Sequence, residues 1–399
     1  MPSLRRRPRL RLLAVLVVMI GLVAAACSNS SNDSANPSPT SSGNGDDAAA
    51  SGGPTVPSHA ATAATKPVFA IYYMWWDGSH WTSRLGPNYP NTQIPLPLPA
   101  SLDSTGCGTV SSYPGNVETD VSQGLTYDQA SPQTIIDDVE LAATTGITGF
   151  AVNWIGDGTT TQTATSSNYN QRLASMVAAV HQVNAEGKPF SIILNYQSSA
   201  KTLTMSQFTN DFNYLLANYG SDSALDHTYS ARPEVVMAGT WKYADGDIAT
   251  IAQQFRSRMY LLGDEKPSTW DADRASNLDG TSYYWSSQNP YNNASSFKQL
   301  ENFAATVRSS LNPDGSQKTW LAPFTPGYNA MLLYNTTSCV PRNDGQTMRT
   351  LFDGNQASNP DGWTLISWNE ISEGSYIVPL TRYGKAYVDE LRTIVQNNK

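Results

Sequence analysis

The sequence predicts a (β/α)8 barrel, in which eight parallel strands close into a ring inside a layer of helices. Three observations carry the prediction. Eight short, nearly continuous apolar runs recur between Phe69 and Trp368, helical patterns lie between most of them, and no second linker interrupts residues 67–399. Short continuous apolar runs suit strands buried on both faces, as parallel sheets require. An open doubly wound sheet and a two-lobed sugar-binding fold are the competing architectures.

The first strand reads Phe69–Tyr73, and the second Gly149–Trp154. Between them Ser131 and Pro132 fit N-cap and first-turn positions, Ile135, Ile136, Val139, Ala142 and Ala143 share a face, and Gly146 ends the helix. The third strand is Ser191–Asn195, after a helix from about residue 168 to 186 that Gly187 and Pro189 stop. Val235–Met237, Met259–Leu262, Ser282–Trp285, Trp320–Phe324 and Thr364–Trp368 follow as strands four to eight. The fifth and sixth units are the weakest, because Asp264–Gly280 patterns poorly as a helix. A closing helix places Tyr383, Tyr387, Leu391 and Ile394 on one side. In such a barrel, function sits at the C-terminal ends of the strands.

The N-terminus reads as an address. Arg5, Arg6, Arg7, Arg9 and Arg11 precede the apolar run Leu12–Ala26, then small residues and Cys27. A basic region, a short apolar region and small residues before the cut make a secretory signal over 1–26. The run is shorter than the roughly 20 apolar residues of a spanning helix. Cys27 directly after Ala24-Ala25-Ala26 resembles the bacterial lipoprotein signal, which implies lipidation at Cys27 and a membrane-anchored, exported cell-surface protein. Plain secretion is the alternative. Residues 27–66 are rich in Ser, Ala, Asn, Thr, Gly and Pro, cannot offset chain entropy by burial, and form a tether spanning on the order of 35 Å.

Charge excludes several functions. The chain carries 25 Lys and Arg against 33 Asp and Glu; without the five arginines of the signal, the balance is 20 against 33. So acidic a body lacks the clustered cations that phosphate contacts need, which excludes nucleic acid as a partner. Charged residues make up 15% of the chain, below the typical figure of about 25%, so the surface is built from Ser, Thr, Asn and Tyr. There is no Ser–His–acid arrangement, no Gly-rich phosphate loop and no dinucleotide fingerprint. With Cys27 assigned to lipid, Cys107 and Cys339 remain; in an oxidising compartment two such thiols pair more often than they stay free. The barrel would place them in the loops after strands one and seven, on one face. No CxxC or His/Cys cluster suggests a structural metal.

The strongest chemical signal follows the eighth strand, where Trp368 and Asn369 precede Glu370 and Glu373. Glycoside cleavage needs one carboxyl to protonate the departing oxygen and another to help displace it. In isolation, two glutamates three apart would more often cap a segment or face solvent. Their position at the end of a buried strand favours the catalytic reading.

The segment Trp368–Gly374, continuing to Ile377 and Pro379, resembles the WNEWxEGxxIEP signature of glycoside hydrolase family 99-like enzymes. These are endo-α-mannosidases and endo-mannanases, with the α-1,3-glucanases of family 71 as looser relatives. The similarity includes Tyr72–Trp76, similar to the family's first-strand YYxWY, and Gly146–Phe150 before strand two. It also includes Pro326–Tyr328 after strand seven, and Arg342 with Asp344 and Gly345, so that in order it covers most of residues 67–384. The resemblance implies an endo-acting, retaining hydrolase of an α-linked polysaccharide, a mannan or α-glucan, without a covalent enzyme intermediate. It implies Glu370 as base on the sugar 2-hydroxyl and Glu373 as acid, then base on water, with no metal or cofactor. Ile371 stands for the signature Trp, Ser372 where His is common, and Val378 for the Glu of IEP. Both acids are retained while their surroundings change, so the resemblance speaks to chemistry more than to the sugar.

Side chains at strand ends and in the loops that follow supply a candidate sugar lining: Tyr73, Trp76, His80, which resembles a family position near the first loop, Trp154, Asn195, Tyr328, Arg342, Trp368 and Asn369. Aromatic faces stack on sugar C–H surfaces, and amide tips bond hydroxyls. The alternative for the tryptophans, Trp81 included, is packing beneath the first loop; for Arg342 it is ordering the seventh. Asp271 and Asp273 are of a type that binds a hydroxyl or a cation, but their spacing alone defines no site. The rival to an enzyme is a non-catalytic glycan-binding lipoprotein, on this fold or a solute-binding one.

Overall fold

A computed structural model describes residues 66–80, 107, 127–156, 165–197, 204–329, 338–380 and 383–398. The signal segment, Cys27, nearly all of the tether and Trp81 lie outside the described residues. Eight parallel strands close into a barrel. They are β1 (Val68–Tyr73), β2 (Gly149–Trp154), β3 (Ser191–Tyr196), β4 (Glu234–Met237), β5 (Tyr260–Gly263), β6 (Gly280–Ser282), β7 (Thr319–Phe324) and β8 (Gly362–Leu365). The ring closes where β8 pairs with β1, Val68 opposite Trp363 and Ala70 opposite Leu365. Closure excludes the open sheet and the two-lobed fold.

Side-chain alternation sorts the strands into two layers. Phe69, Ile71, Tyr73, Ala151, Ile193, Asn195, Val236, Leu321 and Thr364 line an interior cavity. The intervening residues pack outward on the helices. Eight helices are described: α1 (Pro132–Thr145), α2 (Thr165–Ala185), α3 (Met205–Tyr219), α4 (Asp245–Phe255), α5 (Ala272–Asn277), α6 (Ser296–Ser309), α7 (Gln346–Asn355) and α8 (Ala386–Asn397). Tyr196 meets Phe208 and Phe212 of α3, Trp320 meets Phe303 of α6, and Trp363 meets Phe352 of α7. Each such buried large apolar side chain contributes about 2 kcal/mol.

Local chemistry sets the element ends. Pro132 starts α1 after Ser131, and Gly146, at φ 85°, supplies the left-handed residue that ends it. On α3, Thr204 and Gln207 form a reciprocal capping box. The weak fifth unit is real: α5 has six residues, and Asp271 caps it by accepting from the Asp273 and Arg274 amides. Asp271 therefore serves the helix rather than a ligand.

Two strands differ from the sequence expectation by more than one residue. The sixth strand is Gly280–Ser282, and Tyr283, Tyr284 and Trp285 lie beyond its end. The eighth is Gly362–Leu365, so Ile366, Ser367 and Trp368 already belong to the loop. Tyr383 precedes α8 and stacks edge-on against Tyr387 instead of joining the helix.

After β7, Tyr328–Asn329 pairs antiparallel with Cys339–Val340, Asn329 opposite Cys339. Cys339 is disulfide-bonded to Cys107, with Cα atoms 5.9 Å apart across a sequence separation of 232. Among the described residues, no helix is long and apolar enough to cross a membrane.

Candidate active site

The chain leaving β8 doubles back over the strand end. The Ser367 amide donates to Ser375 O at 2.8 Å, and Ile377 and Val378 amides both donate to Trp368 O. Inside this loop the Glu370 amide donates to Ser367 Oγ at 2.7 Å. Ser372 Oγ donates to Glu370 Oε1. Gly374, at φ 59°, makes the turn directly after Glu373 in a conformation that side chains disfavour. Glu370 and Glu373 are 3% and 2% exposed.

Three neighbours fix the loop. Asn369 is laced to β1: its Oδ1 accepts from the Tyr73 amide at 2.7 Å, and its Nδ2 donates to Tyr73 O at 2.9 Å. Trp76 Nε1 donates to Asn369 O at 2.6 Å. From the ribbon, the Asn329 amide donates to Glu373 O at 2.7 Å. Arg342 forms the third clamp, with Nη2 donating to Gly374 O at 2.8 Å and Tyr376 O at 2.7 Å. Its guanidinium lies 4.9, 4.3 and 4.4 Å from the ring centres of Tyr376, Tyr383 and Tyr387.

Behind Trp368 stands an acid that periodicity did not single out. Asp138 of α1 is buried and accepts from Trp368 Nε1 at 3.1 Å, Tyr72 Oη at 2.8 Å and Tyr127 Oη at 2.5 Å. Burial pushes its carboxyl up to about 6, against those three donors. Tyr127 Oη also accepts from Asn369 Nδ2 at 3.0 Å, which ties α1, β1 and the glutamate loop into one network.

The barrel mouth opens onto a cavity of about 590 Å³, its open space included. Its polar lining is Tyr73, Asn195, Gln197, Asp264, Ser282, Tyr284 and Thr364. Tyr73 Oη donates to Tyr284 Oη at 3.1 Å across the mouth. Burial pushes the Asp264 carboxyl up to about 6, against amide donors from Tyr284 and Gly239. Neither Glu370 nor Glu373 lines this cavity; both lie in the adjoining loop, joined to it through the Asn369–Tyr73 pair. Among the described residues, no group of three or more His, Cys, Asp or Glu is placed to hold a metal ion.

No family model matches this sequence, and no curated protein matches it significantly. Solved structures do. Two structures of the GH99 endo-α-mannosidase from Bacteroides thetaiotaomicron, one in complex with BIS-TRIS-propane, superpose with a TM-score of 0.60 at 14% identity. They cover 84% and 83% of this chain and 98% and 97% of their own. A third, described as a glycoside hydrolase-like protein, gives 0.57 at 13% identity over 86% of this chain and 96% of its own. In fold, the chain is similar to GH99 endo-α-mannosidases.

Within this GH99-like barrel the expected site residues fall into two groups. Tyr73 and Asn195 line the cavity. Trp76 and Trp154, expected in the lining, are instead fully buried: Trp76 on the glutamate loop, Trp154 against Tyr214 with Nε1 donating to Asn170 Oδ1 at 2.8 Å. Trp368 and Asn369 are likewise buried in the network just described. Tyr328 is buried against Val340 in the ribbon, and Arg342 clamps carbonyls. His80 stacks on Trp75 at 5.2 Å, and its backbone amide bonds Asp77 Oδ1. Gln197, Asp264 and Tyr284 escaped the sequence reading. All three lie one or two residues beyond a strand end, the position that could have flagged them.

Proposed function

We propose that the protein is a glycoside hydrolase that cleaves an α-linked polysaccharide, a mannan or α-glucan, from within the chain and with retention. The observation that carries the reading is the pair Glu370 and Glu373, three residues apart on the loop that follows β8, at the barrel end where chemistry is done. Ser372 supports it further, since a hydroxyl donor on Glu370 Oε1 suits a carboxylate that must accept a proton.

Glu370 takes the proton of the sugar 2-hydroxyl as that oxygen closes on the anomeric carbon. Glu373 gives its proton to the departing glycosidic oxygen, so the bond breaks as the 1,2-anhydro ring forms. Water then opens that ring, Glu373 receives the water's proton, and Glu370 returns its proton to O2. Both glutamates are thereby reset. The cavity beside the loop supplies apolar surface for sugar C–H faces and amides for hydroxyls.

We further propose export and lipid anchoring at Cys27, supported by the sequence of residues 1–27 and by the Cys107–Cys339 disulfide, a bond at home outside the cytoplasm. The burial of both glutamates outside the cavity lining favours a second reading, glycan capture without cleavage. Incubation of the protein with α-mannans and α-glucans, products followed by mass spectrometry, separates the two. Released oligosaccharides support the hydrolase; binding without release supports capture.

A further inference from the structure

We infer that Asp264 is a sugar-recognition residue, held ready to accept hydrogen bonds from two adjacent hydroxyls of an uncharged sugar ring seated in the barrel cavity. The inference rests on the glycan reading of this site, whether or not the glycan is cleaved.

Asp264 follows the last residue of β5 and, among the described residues, is the one charged side chain that lines the cavity. Lys266 and Lys242 act on its charge from outside the cavity lining, while the guanidinium of Arg274 is engaged by Glu265 Oε1 at 2.9 Å and Asp245 Oδ1 at 2.9 Å. What holds Asp264 is backbone. The Gly239 amide donates to Oδ2 at 2.9 Å and the Tyr284 amide to Oδ1 at 3.0 Å. These donors come from the segments after β4 and β6, so the carboxylate is fixed between its two flanking strands. An ionised carboxylate oxygen accepts about two donors, and each of these oxygens has one backbone donor. Two acceptor positions, side by side on a rigid group, match a vicinal diol.

The surroundings select the rest of the ligand. Ile71, Ile193, Val236 and Leu321 give the cavity an apolar wall, and Asn195 and Gln197 add amides. That composition suits a pyranose ring, with C–H faces on one side and hydroxyls on the other. Among the described residues no Lys or Arg lines the cavity, so a uronate or a phosphorylated sugar would bring its negative charge against the carboxylate with no cation in the lining to offset it, and the class is a neutral sugar.

The competing account makes Asp264 only a brace between two loops, and substrate pattern separates the accounts. The full chain carrying Glu373→Gln, held in detergent, is titrated by calorimetry with neutral α-linked manno- and gluco-tetraoses, then with monodeoxy derivatives of the tighter one. The same titrations are run with Asp264→Asn and Asp264→Ser added, and melting is followed for every variant. The proposal predicts that each added substitution weakens the parent tetraose about tenfold or more, the scale of a lost hydroxyl contact. Derivatives lacking a hydroxyl at the contacted positions should bind with and without Asp264 alike. Equal weakening of parent and all deoxy derivatives would make Asp264 a brace and overturn the proposal. So would unchanged binding of the parent, or no binding of either tetraose before Asp264 is altered. Tetraose binding by the unaltered protein without any cleavage would remove the hydrolase reading alone and leave Asp264 to be judged on its own data.

Discussion

Arg342 shows how burial changes the meaning of a residue. In sequence it is a cation near a proposed sugar site; in the structure it is 1% exposed, bonded to the carbonyls of Gly374 and Tyr376 and enclosed by three tyrosines. Its effect on chemistry therefore runs through the position of Glu373, one residue before Gly374. Arg342→Met strips two buried carbonyls of a donor and should destabilise the fold by about 2–4 kcal/mol. Turnover should fall with KM little changed, because the loop and not the sugar loses its partner. Arg342→Lys should not restore turnover, since a compact ammonium lacks the planar group that packs among the three tyrosines and holds Nη2 at both carbonyls. Steady-state kinetics beside thermal melting checks this; a large rise in KM alone would return Arg342 to the sugar.

The ribbon after β7 is the element that connects the disulfide to the chemistry. Cys339 pairs with Asn329, and the Asn329 amide holds the Glu373 carbonyl. Cys339→Ser should therefore lower turnover several-fold as well as the melting temperature, and a reductant should do the same to the parent protein. A variant that melts lower yet turns over normally would separate ribbon from site. At this scale the sequence was a good guide where pattern and packing agree: β2 matches its predicted span, and α1 starts and stops at its signals. It misplaced the ends of β6 and β8 because an apolar run continues past the last strand pairing, into a half-buried rim after β6 and a buried loop after β8, and hydrophobicity cannot distinguish strand from rim. Asp138 was illegible for a related reason. A single acid in a sequence looks solvent-facing, and only tertiary packing puts Asp138 among Trp368, Tyr72 and Tyr127.

The molecule as a whole divides into a reactive end and a stabilising end, as barrels of this type do. At the N-terminal end, Glu234 begins β4, is 1% exposed, and accepts from the Tyr229 amide. Burial, with the charge of Asp226 adding to it, raises its carboxyl from 4.5 to about 9. The native protein thus keeps a proton between those values that the unfolded chain releases. Stability is fully present below the lower value and is lost as pH rises towards the upper one, by about 1.4 kcal/mol per pH unit for a single group. Glu234→Gln should flatten that slope in urea unfolding between pH 5 and 8 without changing turnover; an unchanged slope would show that the group titrates normally.

At the reactive end, the account reduces to two carboxylates. The most direct measurement is turnover and affinity of Glu370→Gln and Glu373→Gln, beside the parent, on the glycan that the parent cleaves. The account predicts that each variant loses turnover by about a thousandfold or more, the scale of a lost general acid or base, while affinity stays within about threefold. Either variant cleaving at near-parental rate would contradict it.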